Sequence, residues 1–337
     1  MKKNKNAAKS LLCFTLASVT LFLSSCSFIP GYVEPEDQYV VSAIGFDATD
    51  GEIAVSVEVI DSDPKKSRVL NGEGASIEEA ISALLSGETK TLEVSHCAMI
   101  ALGKGIGAEW LRLIMDYCNR NEDITVAAHV VAASDARSLL SISDVSGYDL
   151  VSSISEGREN SGVGRESRFY QVEGARSSDD PVFALPYFTA SGENFELYGV
   201  RIYGGDEPRV SLDRAESAYY MMIRGLFGGG LLGRDSPGLS GSVGVSDCKV
   251  KYEFSEVDGK PALKVSCKIK LDGELADDRF SDEIVKATKE GMERVFNELS
   301  PRYGDVFKLT QRAKKQRVDV ADGFFERLTV SFECSEV

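Results

Sequence analysis

The chain has 337 residues, of which 43% are apolar and 27% charged, with a formal net charge of −15. That length suits two or three domains rather than one core, and the balance is that of a globular protein rather than a disordered one. So acidic a surface repels phosphate backbones, which argues against nucleic-acid binding.

The first nine residues carry four lysines and no acid, and Leu11 to Leu23 is an apolar run. It falls short of the roughly 20 residues that span a bilayer core and fits the roughly 7–15 of a secretory signal. The run stops at Leu23-Ser24-Ser25-Cys26, an aliphatic residue, two small ones and a cysteine, which resembles a bacterial lipobox. Residues 1–25 are therefore expected to be a lipoprotein signal peptide, with Cys26 the lipid attachment site and 26–38 a lipidated leader. A buried N-terminal helix, or an ordinary signal with Cys26 left free, would make the lysines, the abrupt stop and the cysteine coincidences. Removing the signal takes the formal charge from −15 to −19, which suits a protein tethered by lipid rather than lying on anionic headgroups. No later segment is apolar enough to predict a second crossing.

An N-terminal α/β domain is expected over 39–180. Val40 to Phe46 reads as a strand, turned by Ala48-Thr49-Asp50-Gly51 into a partner where Ile53, Val55, Val57 and Val59 alternate with Ala54, Ser56 and Glu58. The alternation predicts an antiparallel hairpin with one buried face. Ser76 followed by Glu79 is a capping box, and Ile77, Ala80, Ile81, Leu84 and Leu85 line one side of the helix it starts. Gly87 ends that helix. Leu92 to Leu102 reads as a strand, Ala108 to Asn119 as a helix with Leu111, Ile114, Met115 and Cys118 on one face, Ile124 to Ala133 as a strand, and Asp135 as the cap of a short helix through Leu140. From 141 to 180 the composition, rich in Ser, Gly, Glu and Arg, predicts a polar connection.

A small middle domain is expected over 181–245, from the segments Pro181 to Phe188, Phe195 to Tyr203 and Val210 to Leu226, closing in a glycine-rich linker at 228–244. The C-terminal α/β domain, 246–337, opens with strands Lys249–Phe254 and Ala262–Leu271 joined across Asp258-Gly259. A helix from Ser281 to Leu299 follows, lined by Ile284, Thr288, Met292, Val295 and Leu299 and ended by Pro301, then a basic helix from Asp305 to Gln316 and a last strand, Arg327–Cys334. The fold class is α/β (α+β), with mixed, mostly antiparallel sheets flanked by helices.

Catalytic and metal chemistry has little to draw on. The two histidines, His96 and His129, fall in or beside strands and read as structural; a zinc site wants three or more convergent ligands, and there is no G-x-S-x-G. No catalytic residue, metal ligand or cofactor is expected apart from lipid on Cys26, and the ligand-binding residues are unknown. Gly228-Gly229-Gly230 lacks the Lys-Ser/Thr of a phosphate loop. Arg312 to Arg317 reads as the solvated face of a helix, with docking to an acidic partner the alternative. Cys97 and Cys118 read as small core residues. Cys248 and Cys267 flank the expected hairpin; a disulfide between them is one alternative, two thiols the other.

Taken in order, these pieces resemble the Ger(x)C family, the lipoprotein C subunits of spore germinant receptors. The resemblance is carried by the lipobox with the strand Ala43-Ile44-Gly45-Phe46-Asp47, by Gly72-Glu73-Gly74-Ala75-Ser76-Ile77-Glu78-Glu79-Ala80 with Leu92-Glu93-Val94-Ser95-His96 and Asn119-Arg120-Asn121-Glu122, by Tyr198-Gly199-Val200-Arg201-Ile202-Tyr203 with Leu212-Asp213-Arg214-Ala215-Glu216-Ser217, and by the C-terminal strand pair, long helix, Asp305-Val306-Phe307 and final strand. It implies an elongated three-domain protein anchored on the outer face of the spore inner membrane. It further implies a non-enzymatic subunit that assembles with two multi-spanning membrane subunits. The alternative is a solute-binding lipoprotein of an importer, against which the hairpin-first order and unequal domains speak.

Overall fold

The computed structural model describes residues 35–60, 67–161, 163, 166–236, 239–272 and 278–337. By internal contacts the chain divides into two units, one of residues 39–88 with 92–337 and one of residues 1–38 with 89–91. In the smaller unit the described residues include a 3-10 turn at Pro35–Asp37. Cys26 and the signal lie outside the described residues.

The first sheet starts as expected. β1 (Gln38–Thr49) returns through Asp50 and Gly51, both at positive φ, into β2 (Glu52–Ile60), the two-residue turn whose twist matches that of paired strands. β3 (Ser67–Gly74) pairs antiparallel with β2. The hairpin was expected to bury one face, and it buries two: Ser56 and Glu58 are as inaccessible as Val55 and Val57. Helices laid on the second face from later in the chain are the cause. α1 (Ile77–Leu84) begins where Ser76 Oγ accepts the Glu79 N–H. The expected strand 92–102 is broken into β4 (Thr91–Glu93) and β5 (Met99–Leu102), because a turn closed by Cys97 N–H to the Val94 carbonyl interrupts it. α2 (Ala108–Arg120) buries the predicted Leu111, Ile114, Met115 and Cys118. β6 is shorter than expected, His129–Ala133, since the chain turns at Thr125 to Ala128 before entering the sheet. α3 (Ala136–Leu140) is capped by Asp135 as predicted.

The polar connection expected over 141–180 is instead largely helical. α4 (Gly147–Ser161) buries Leu150 and Ile154, one turn apart, and α5 (Phe169–Arg176) buries Phe169 and Val172. Ser146 and Asp149 exchange hydrogen bonds at the start of α4, a capping pair that the serine-rich composition obscured. Nor does the segment after 181 keep a sheet of its own. β7 (Val182–Ser191), β8 (Asn194–Gly204) and β9 (Glu207–Leu212) extend the first sheet, β7 pairing parallel to β6 through Ala132–Tyr187 and Ala133–Phe188. The order is β3-β2-β1-β5-β6-β7-β8-β9, a parallel centre with antiparallel wings. α1, α2 and α5 cover one face, over a core that includes Phe46, Val57, Ile100, Leu102 and Val130; α3 and α4 cover the other, over Ala43, Met99, Ala101 and Val131.

α6 (Arg214–Ile223) is fixed by a reciprocal capping box between Asp213 and Glu216. It leads to the second sheet, β10-β11-β12-β13. In the glycine-rich linker expected at 228–244, residues 230–236 and 239–244 are strand: β10 (Gly230–Ser236) pairs with the start of β11 (Leu239–Val257), Leu232 opposite Val243, and both side chains are buried. Ladder pairing and that apolar pair override the low strand preference of glycine. β12 (Lys260–Leu271) follows across Asp258-Gly259, as predicted. α7 (Asp278–Tyr303) passes through Pro301 and stops only at Gly304. Pro301 lies in the last turn, where one missing N–H costs little. The basic helix α8 (Leu309–Lys315) starts four residues later than predicted, because Asp305 accepts the Leu309 and Thr310 N–H groups and so caps from outside. α9 (Phe324–Arg327) precedes β13 (Thr329–Glu336), which pairs parallel with β12. α6 and α7 share a third core with the inner face of the second sheet, around Tyr220, Met222, Val265, Met292 and Phe307.

Candidate functional site

Two buried carboxylates organise the face of the first sheet that α3 and α4 cover. Asp47, 3% exposed, accepts N–H groups from Lys104 at 2.8 Å, Ala136 at 3.0 Å and Arg137 at 2.9 Å. It thereby neutralises the positive start of α3. Gly103 admits it: a Cβ there would lie 2.0 Å from Asp47 Oδ1. Glu58, fully buried, accepts the Ser42 hydroxyl and the Gly147 N–H at 2.6 Å, while its Oε1 has no hydrogen-bond partner. Both side chains fasten helices to strands. Asp47 is held by backbone donors alone, and Glu58 by one hydroxyl and one backbone N–H.

Charge and recess come together where the first sheet meets the second. A cleft of about 570 Å³ lies between the turn after α5, at Ser177 to Asp180, and the cap and outer face of α8, at Asp305, Thr310 and Lys314. Asp180 Oδ2 is buried there without a hydrogen-bond partner. Burial pushes the Asp180 carboxyl above its ordinary range, against the pull of Lys308, Arg224 and Lys314. Burial likewise raises Asp305, the Thr310 and Leu309 donors opposing and the Asp180 charge adding. Lys308 is driven down, first by burial and then by Arg224.

Arg224, 4% exposed, closes α6 behind this cleft. It donates to Glu166 at 2.7 Å and to the Tyr220 hydroxyl at 2.9 Å. Burial opposes its charge, and Tyr220 and Glu166 more than offset that, so it stays protonated. The last turn of α6 is then held from the other sheet. Tyr220 donates to the Val306 carbonyl at 3.0 Å, Tyr252 to the Ile223 carbonyl at 2.8 Å, and Arg312 to the Arg224 carbonyl at 2.9 Å. The Arg312 guanidinium also lies over the Tyr252 ring, 3.8 Å from its centroid, a cation–π contact. The arrangement locks two sheets through backbone carbonyls and leaves a polar recess at the seam.

The two histidines singled out in the sequence do not converge. His129 is buried with Nδ1 2.7 Å from Ser167 Oγ, whereas His96 is exposed and its carbonyl accepts from Tyr148. Among the described residues no group of three or more His, Cys, Asp or Glu is placed to hold a metal ion. The basic run is not wholly solvated: Arg312 belongs to the clamp, while Lys314, Lys315 and Arg317 are exposed. Cys97 and Cys118 are core residues as read, and Cys248 and Cys267 are thiols in contact. Sequence reasoning missed Asp47, Glu58, Asp180 and Arg224, and only Asp47 had a signal, in the Gly-Phe-Asp that ends a strand. Among the described residues no helix is long and apolar enough to cross a membrane.

Residues 31–190 match the family described as the spore germination protein N-terminal domain. Among solved structures, the chain is similar to the GerBC protein, with a TM-score of 0.49 and 13% identity, covering 87% of this chain and 96% of that one. No curated protein matches the sequence.

Proposed function

This chain belongs to the Ger(x)C family of spore germination proteins, and we propose that it is the lipid-anchored, non-enzymatic subunit of a nutrient-germinant receptor. The observation that carries the reading is the family match over residues 31–190. It is supported by the lipobox-like Leu23-Ser24-Ser25-Cys26 immediately upstream. Lipid on Cys26 tethers the chain to the extracytoplasmic face of the spore inner membrane, with residues 27–38 as spacer. The two sheets, fixed to one another at the Arg224 clamp, then present a rigid surface to two multi-spanning subunits. The role is assembly or signalling; Asp47 and Glu58 fasten α3 and α4 to the first sheet and serve the fold.

The test is a detergent pull-down of the tagged protein from membranes of sporulating cells, with mass spectrometry of the co-purifying proteins. Two multi-spanning partners are expected, and Cys26→Ala is expected to release the protein from the membrane fraction. Recovery of an importer permease and ATPase, or unchanged membrane association of Cys26→Ala, overturns the reading.

A further inference from the structure

Three cysteines meet on the inner face of the second sheet. The pairing sets Cys248 opposite Ile269 and Cys267 opposite Val250, so Cys248 and Cys267 are diagonal neighbours on β11 and β12. On the other side Cys267 faces Cys334 directly across the parallel ladder to β13. Side chains two residues apart share a face, so all three thiols project the same way, into the core under α7. Cys267 is buried, while Cys248 and Cys334 are half-buried. The Sγ atoms of Cys248 and Cys267 lie 3.2 Å apart, as free thiols in contact.

We propose that Cys248 and Cys267 are a modification site, joined by two-electron oxidation into a disulfide across β11 and β12, with Cys334 left as a thiol beside it. A disulfide holds its sulfurs about 2.0 Å apart, so closure asks for roughly one ångström of approach from the contact already present. The oxidant class is a small disulfide. Cys248, reached from solvent, attacks one sulfur of that reagent, loses its proton and releases one small thiol. Cys267 then attacks Cys248 Sγ, loses its proton and expels the second. Two protein thiols are oxidised, and one reagent disulfide is reduced to two thiols. The entry point follows from access: Cys248 is half-buried, whereas Cys267 is buried, and attack needs an accessible thiol. The contact with Cys248 pushes the Cys267 thiol up, the contact with Cys334 opposing and burial adding, and the contact with Cys267 and burial push Cys334 up. The inference is independent of the receptor reading: it concerns the sheet alone and is tested without partners.

The full chain in detergent is treated with glutathione disulfide under native conditions, acid-quenched, alkylated and mapped after trypsin without reduction. Lys249, Lys268 and Arg327 place the three cysteines on separate tryptic peptides, so each pairing has its own mass. The expected result is loss of two free thiols, a Cys248–Cys267 linked peptide, and unreacted Cys97 and Cys118, which are buried in the first core. Cys248→Ser should abolish the link, and Cys334→Ser should leave it intact. A dominant Cys267–Cys334 peptide overturns the proposal. So does Cys248 persisting as a mixed disulfide with glutathione while Cys267 stays reduced, or the same link forming equally fast in the urea-unfolded chain.

Discussion

β2 in the first sheet and β11 in the second carry the same alternation, yet their polar sides meet opposite surroundings. In β2 the residues between Ile53, Val55, Val57 and Val59 include Ser56 and Glu58, and both are buried. In β11 the residues between Val250, Tyr252 and Phe254 are Lys251 and Glu253, and both are exposed. The inner side of β11 rests on the third core, and its outer side carries surface ion pairs such as Lys251–Glu253. Alternation therefore tells which side of a strand is apolar; it does not tell whether the other side meets water. That depends on helices supplied from elsewhere, here residues 136–161 for the first sheet.

The comparison breaks if acidic residues on the two strands and their neighbours respond alike to removal. Asp47→Ala should be the most damaging polar change, because three backbone N–H groups lose their acceptor in a buried site. At about 1.5–3 kcal/mol for a bond to a charged group, discounted for relaxation, a loss of about 3–5 kcal/mol is expected in urea denaturation. Glu253→Ala should leave the midpoint unmoved in the same experiment. Should Asp47→Ala cost under about 1 kcal/mol, Asp47 is not the anchor of α3 described here.

Glu58 sharpens the point. Glu58→Ala strands the Gly147 N–H and leaves the Ser42 hydroxyl only the backbone carbonyl of residue 58, at about 2–4 kcal/mol. Glu58→Gln keeps an acceptor for both and fills the same volume, so about 1 kcal/mol or less is expected. Equal costs for the two would mean that charge, rather than the acceptor, holds α4 to the sheet. The next step down is Tyr220→Phe at the clamp. It removes one hydroxyl that bridges Arg224 and the Val306 carbonyl, at about 1–2 kcal/mol. Double mutation with Arg312→Ala should be less than additive, because both act on the last turn of α6.

How much of this was legible follows the same line. Local signals read true: the Asp50-Gly51 turn, the Ser76 and Asp135 caps, the apolar faces of α2 and α7 and the Asp258-Gly259 hairpin each appear where residue chemistry puts them. What failed was long-range. β10 looked like a linker because its glycines have little intrinsic preference and its partner, β11, supplies the order. The chain over 181–245 looked like a separate domain because nothing local says that β7 will lie beside β6. Glu58 looked like a solvent-facing residue because the helix that buries it begins 89 residues later. The cleft with Asp180 and Asp305 joins positions 125 residues apart, and no spacing rule connects them.

The smallest predicted effect lies at the seam between the two sheets, where pH should read out the cleft. Asp180 and Asp305 are both raised above their ordinary value of 3.8 in the folded chain. Between that value and the raised ones, the folded state holds protons that the unfolded state has released. Stability from this pair is thus fully present below 3.8 and is lost as pH rises through the folded values. Asp180→Asn removes one of the two titrations and also the charge that helps raise Asp305. The variant should unfold with a flatter dependence on pH across the acidic range, and at neutral pH it should be as stable as the parent or better by up to about 1 kcal/mol. Lys308, Arg224 and Lys314 pull the other way by favouring the Asp180 anion, which is why the gain is small. A steeper pH dependence in Asp180→Asn, or a loss of stability at neutral pH, would mean that those three cations dominate the cleft and that the seam is held by ion pairing rather than by the carbonyl clamp of Tyr220, Tyr252 and Arg312.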